Sequence, residues 1–119
     1  MGARIDLVDG YVVASAKDGL HGTTFEFPFA SVGATENLMT GAVLAKGRTV
    51  LKNTAREPET QDLGRCLIAM GAKIDLADGY VIASAKDGLR GTTFELPFAS
   101  VGTTENLMTG AVLAHGRGP

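Results

Sequence analysis

One stretch of the chain is present twice. Shifting the sequence by 69 positions lays Met1 on Met70, and the match runs on to Arg48 against Arg117. Of the 48 paired positions seven differ: Arg4/Lys73, Val8/Ala77, Val13/Ile82, His21/Arg90, Phe27/Leu96, Ala34/Thr103 and Lys46/His115. The other 41 are identical, and residues 49–69 occur once. A long fixed period means that one supersecondary unit recurs and that neighbouring units bury each other's apolar faces. A single domain over residues 1–119 is expected, with 1–48 and 70–117 as its two copies. Repeat units usually drift apart, so identity this high points to recent duplication, recombination or deliberate construction. The repeat also restricts chemistry. His21 is matched by Arg90 and His115 by Lys46, which excludes any role that needs imidazole in both copies.

Local patterning places the elements. Residues 3–7 and 11–16 alternate apolar and polar about Asp9-Gly10, the signature of a β-hairpin. Asp18-Gly19 and Gly22 make a loop into a third strand over Thr23–Phe27, ended by Pro28, which has no N–H for a ladder. Ser31 is an N-cap for a helix whose face carries Val32, Leu38, Met39, Ala42 and Val43, with Gly47 as its C′ residue. Thr49–Asn53 reads as a strand. Pro58 then opens a second helix, with Glu57, Glu59 and Asp62 near its positive end and a stripe of Leu63, Cys66, Leu67 and Met70. Gly71 closes it, and hairpin, strand and helix return over Ala72–Gly116. Counted from Thr23, one unit is strand, helix, strand, helix, strand, strand. The fold class is α/β (α+β), with mixed sheets packed on helices, and the chain holds roughly 1.7 such βαβαββ units.

Composition narrows the function. The residues are 45% hydrophobic and 20% charged, with net charge −2 and no Lys/Arg block, which argues against nucleic acid or an anionic membrane as partner. One cysteine excludes an intramolecular disulfide framework, and one Cys with two His is a poor metal inventory, so no metal and no cofactor are expected. The opening MGARIDLVDG carries Arg4 and Asp6 and no signal-peptide core, and no apolar run reaches the ~18 residues of a membrane span. A cytoplasmic location is expected.

The best candidate site is Ser31-Val32-Gly33, repeated as Ser100-Val101-Gly102. A helix start offers unpaired N–H groups and a positive dipole end, and a first-turn glycine lets a phosphate or diphosphate approach the backbone. Plain N-capping with a convenient glycine is the competing account. Glu36, Asn37, Glu105 and Asn106 lie one turn further in, as hydroxyl acceptors or as an ordinary solvated first turn. Cys66 reads as a buried structural thiol, Arg56, Glu57 and Arg65 as surface pairs, and Met39, Met70 and Met108 as core.

The run FPFASVGATENLMTGAVLAKGRTVLKNTAREPETQDLGRCLIAMGAKI, Phe27–Ile74, closely resembles the UDP-N-acetylglucosamine enolpyruvyl transferase family (UDP-N-acetylglucosamine 1-carboxyvinyltransferase). SVGATEN, AREPE and CLxxMGAKI come in that order and spacing, and DGYVVASAKDGLHGTTFEFP resembles the stretch that leads into them. The resemblance implies transfer of enolpyruvate from phosphoenolpyruvate to the 3′-hydroxyl of UDP-N-acetylglucosamine, the opening step of peptidoglycan synthesis. It implies two domains of three βαβαββ units each, with the active site between them. It also implies that Ser31, Val32 and Gly33, and Ser100, Val101 and Gly102, help to hold the uridine diphosphate part. The family's amino-terminal Lys-Asn pair, its loop cysteine, the Arg-Pro-Val-Asp stretch beside that cysteine and the charged residues of the other domain have no counterpart here. Phe29 and Phe98 stand where some members have lysine. Ala30, Thr40, Gly41, Thr60, Gln61 and Gly64 are smaller or more polar than the family pattern, as helices that had lost apolar neighbours would tolerate.

The expectation is a non-enzymatic, recombined or engineered fragment with no catalytic residues of its own. The last unit stops after its first helix, leaving an open edge and an apolar face. Its partner would be a second copy, as a homodimer or higher oligomer, with elements exchanged between chains. The alternative is a weak binding module for UDP-N-acetylglucosamine.

Overall fold

A computed structural model describes residues 1–77, 79–97 and 100–115. The elements follow in the order β1 (Arg4–Val8), β2 (Tyr11–Ser15), β3 (Thr24–Glu26), α1 (Val32–Leu44), β4 (Thr49–Lys52), α2 (Pro58–Ala69), β5 (Lys73–Ala77), β6 (Tyr80–Ser84) and α3 (Val101–Val112). β1 and β2 are antiparallel with Val8 opposite Tyr11, so Asp9 and Gly10 form the whole turn. Their φ values of 48° and 82° are the positive pair that a type I′ turn requires.

β3, α1 and β4 form the expected crossover, with β3 parallel to β4. α2 then leads into the β5–β6 hairpin, and β6 returns antiparallel to β4, giving the mixed sheet β3-β4-β6-β5. This is one complete βαβαββ unit. Pro58 sits in the first turn of α2, and Gly71 ends that helix at φ +106° just after the Met70 cap. α1 and α2 pack on the sheet, and α3 packs on both. Between them lies a core of Met39, Ala42, Val43, Leu51, Leu63, Leu67, Val81 and Leu89.

The two copies of the hairpin have different surroundings. In β5–β6, Val81 is 1% exposed, buried under α1 with Leu51 of β4 opposite it in the sheet. Its equivalent in β1–β2, Val12, is 68% exposed, and every residue of both strands is open to solvent. The reason is that α1, β4 and α2 pack on β5–β6, and among the described residues nothing equivalent packs on β1–β2.

The structure corrects one expectation. Thr92–Leu96, the counterpart of the β3 region, is not a strand, because no strand equivalent to β4 pairs with it among the described residues. Three smaller expectations also change. α1 ends at an extended Ala45 cap, so Gly47, at φ +89°, lies one residue beyond C′. Met108 is 62% exposed, because α3 turns Thr103, Asn106 and Gly110 toward the rest of the chain. Thr40, Thr60 and Gly64 are buried rather than placed on bared helix faces: Thr40 donates to the Glu36 carbonyl at 3.0 Å, and Gly64 makes room for Leu76. Phe29 is exposed, while Phe98 and Gly116 lie outside the described residues. Among the described residues no helix is long and apolar enough to cross a membrane.

The loops that close each copy share one device. Lys46 N–H donates to the Leu20 carbonyl at 2.8 Å, and His115 N–H to the Leu89 carbonyl at 2.6 Å. These parallel bridges pair His21 with Lys46 and Arg90 with His115. Two of the seven differences within the repeat are therefore the two sides of one bridge. Main-chain groups make these bonds, which leaves both side chains free to change.

Candidate functional site

Ser31 and Ser100 are both true N-caps. Ser31 Oγ accepts from Ala34 N–H at 3.2 Å, and Ser100 Oγ accepts from Thr103 N–H at 3.3 Å. α1 and α3 pack side by side, which brings the two candidate starts to one polar hollow of about 390 Å³. Gly33, Glu36, Asn37, Gly102, Glu105 and Asn106 line it. Val32 is half-buried and Val101 exposed, and neither lines the hollow. The lining has two carboxylates and no Lys or Arg, so its electrostatics favour hydroxyl groups over a diphosphate.

The two starts are not equivalent. Nothing lies within 4 Å of where a Cβ on Gly33 would stand, so the first turn of α1 is open. At Gly102 the same position is 2.5 Å from Glu36 Oε1. Ser100 Oγ also donates to Glu59 Oε2 at 3.0 Å. The positive end of α3 is thus faced by two carboxyl groups of the chain itself, in the space that a bound anion would take.

Glu36 is the least expected residue here. It is 1% exposed, and Thr103 Oγ1 lies 3.2 Å from its Oε2 and 3.3 Å from the Glu59 carbonyl. Burial pushes the Glu36 carboxyl above its ordinary value of 4.5, Thr103 opposes the shift by hydrogen bonding, and the Glu59 charge adds to it. Because the folded state holds the Glu36 carboxyl proton more tightly than the unfolded state, Glu36 favours folding below the ordinary glutamate range. That contribution is lost as pH rises through the folded value. Glu36→Gln should therefore be more stable than the parent at pH 7, converge with it near pH 4, and flatten stability against pH in urea titrations. A steeper profile would refute the upward shift at Glu36. The Ala34/Thr103 difference was the one signal in the sequence, since it puts the added hydroxyl where the carboxyl needs it.

Other candidates take plain roles. Cys66 is buried and its thiol is pushed up by that burial, which suits packing and not nucleophilic attack. Arg65 pairs with Asp62 one turn before it. Among the described residues no cluster of three His, Cys, Asp or Glu could hold a metal ion.

The family model described as EPSP synthase (3-phosphoshikimate 1-carboxyvinyltransferase) matches residues 1–78 and again residues 61–118. The chain belongs to this enolpyruvyl transferase family. The two matches follow the repeat, each taking in one hairpin and one Ser-Val-Gly helix. A UDP-N-acetylglucosamine 1-carboxyvinyltransferase of Dinoroseobacter shibae is 55% identical over 94 residues, which are 78% of this chain and 22% of that protein. One from Chelativorans sp. is 64% identical over 74 residues, 62% of this chain and 17% of its own length. The chain spans about a fifth of the length of such relatives. Among solved structures, the enolpyruvyl transferase NikO from Streptomyces tendae superposes with a TM-score of 0.73 at 18% identity, over 99% of this chain and 28% of that one. Both the resemblance of Phe27–Ile74 and the βαβαββ fold class are borne out, and the chain is a fragment-sized member of the enolpyruvyl transferases.

Proposed function

We propose that this chain is a non-enzymatic fragment of an enolpyruvyl transferase, of duplicated, recombined or engineered origin, that works by association with its own copies. The observation that carries this is the β1–β2 hairpin, whose Leu7 and Val12 stand opposite each other and largely exposed. Exposed apolar strands with a free edge favour pairing with another chain. Enolpyruvyl transfer, as the relatives' name describes it, develops charge that convergent cations must stabilise. The hollow between α1 and α3 offers carboxylates instead. Light scattering at micromolar concentration should give a dimer or larger species, and Leu7→Lys with Val12→Lys should give a monomer of unchanged circular dichroism. A parent chain that is already monomeric would overturn the association.

A second reading, weak binding of UDP-N-acetylglucosamine, is favoured by the open space at Gly33. Asn37 is exposed beside it, a suitable partner for sugar hydroxyls. An amide NMR titration, with uridine as control, should then shift Ser31–Gly33 more than Ser100–Gly102. Gly33→Val should remove binding at least tenfold and leave the spectrum otherwise intact. Gly102→Val is a poor substitute because it collides with Glu36.

A further inference from the structure

The repeat contains its own record of what covers a hairpin of this sequence. On β5–β6, α1 lies over β6 and the free edge of β6 is taken by β4, with Thr49, Val50, Leu51 and Lys52 opposite Ala83, Ile82, Val81 and Tyr80. α2 lies over the other strand: Leu76 seats against Gly64, 3.0 Å from where its Cβ would be. Leu67 reaches on to α3, 3.6 Å from the corresponding point at Gly110 and beside Leu89. In the first copy the matching glycine is Gly41. Its nearest neighbours are Leu20 and Met1, the counterparts of Leu89 and Met70, with no leucine in the place that Leu67 holds at Gly110. An open, largely apolar hollow of about 480 Å³ is found there instead, lined by Met1, Ile5, Leu20, Phe25, Leu38 and Leu51 among others.

We propose that β1–β2 and this hollow form a docking site for a strand-and-helix segment with the chemistry of residues 49–70, supplied from outside these 119 residues. The strand would add to the edge of β2, with Thr, Val, Leu and Lys opposite Ala14, Val13, Val12 and Tyr11. The helix would lie over Ile5 and Leu7 and place the leucine equivalent to Leu67 in the hollow. Three of the four β6 residues in that register are unchanged in β2, and the fourth exchanges Ile82 for Val13. Exchange between copies of this chain does not meet the need. Each chain has two hairpins and one segment 49–70, already seated on β5–β6, so lending it bares one hairpin to cover another. The inference rests on the reading of this end as an association surface, and it names a cover that would displace a second copy from it.

The test uses the isotope-labelled 119-residue chain and an unlabelled synthetic peptide of residues 49–70, with light scattering in parallel. Saturable shifts at Ile5, Leu7, Tyr11–Ala14, Leu20 and Gly41 are expected, at least tenfold weaker for the peptide carrying Leu67→Asp. A monomer that binds in this way supports docking and overturns self-association. A dimer that dissolves as peptide is added supports both. Docking is overturned by a dimer that the peptide leaves intact, by the absence of saturable shifts, or by shifts confined to β6 and α3, where the peptide would only replace the chain's own segment.

Discussion

Alanine at position 22 is expected to cost roughly 3 kcal/mol or more, enough to unfold much of a small domain at room temperature. A Cβ there would overlap the Arg48 main chain, standing 2.7 Å from both its nitrogen and its carbonyl carbon. Side chains can turn away from such a clash, but this neighbour is backbone. It is also pinned, because Gly22 N–H donates to the Lys46 carbonyl at 2.6 Å and Lys46 N–H returns a bond to Leu20. The glycine is required for close approach and not for an unusual φ. Thermal unfolding followed by circular dichroism would show the loss as a Tm many degrees lower. An unchanged Tm would mean that the two segments do not cross this closely.

The second large effect is expected at Leu67, which is fully buried and joins α2 to the sheet and to α3. Leu67→Ala should lower stability by about 3–4 kcal/mol, the lost transfer energy plus the cavity it leaves. Leu7→Ala is the control below the concentration at which copies associate, since Leu7 is 77% exposed within one chain and its truncation there should stay within about 0.5 kcal/mol. Urea titration of both variants checks the pair. Similar losses at the two sites would show that β1–β2 is buried in solution, as self-association or a docked segment requires. The parent's oligomeric state separates those cases.

Much of this fold was legible because short signals there agree with tertiary demands. Asp9-Gly10 between alternating runs, Ser31 before an apolar periodicity and Pro58 at a first turn each fix an element locally. Thr92–Leu96 failed for the opposite reason. Its sequence differs from the β3 region only at Leu96, yet a strand is defined by its partner, and the partner stretch is not repeated. Met39 and Met108 teach the same point on helices, with equal local patterns and opposite burial. The helix starts were legible as caps, whereas the carboxyl groups at Ser100 and Gly102 were not. They arrive from Glu36 and Glu59, more than 40 residues away in sequence, by the packing of α1, α2 and α3.

The unequal cover of the two hairpins has a kinetic side. Opening of β1–β2 breaks its own ladder and little else, so it can fray while the sheet β3-β4-β6-β5 stays closed. Opening of β5–β6 strips α1, β4 and α2 of their contacts and so approaches global unfolding. Two nearly identical peptides in one molecule would then have amide-exchange lifetimes set apart by tertiary contacts. Intrinsic exchange rates almost cancel between them, and the ratio of protection reads out what α1, β4 and α2 contribute to a hairpin of this sequence.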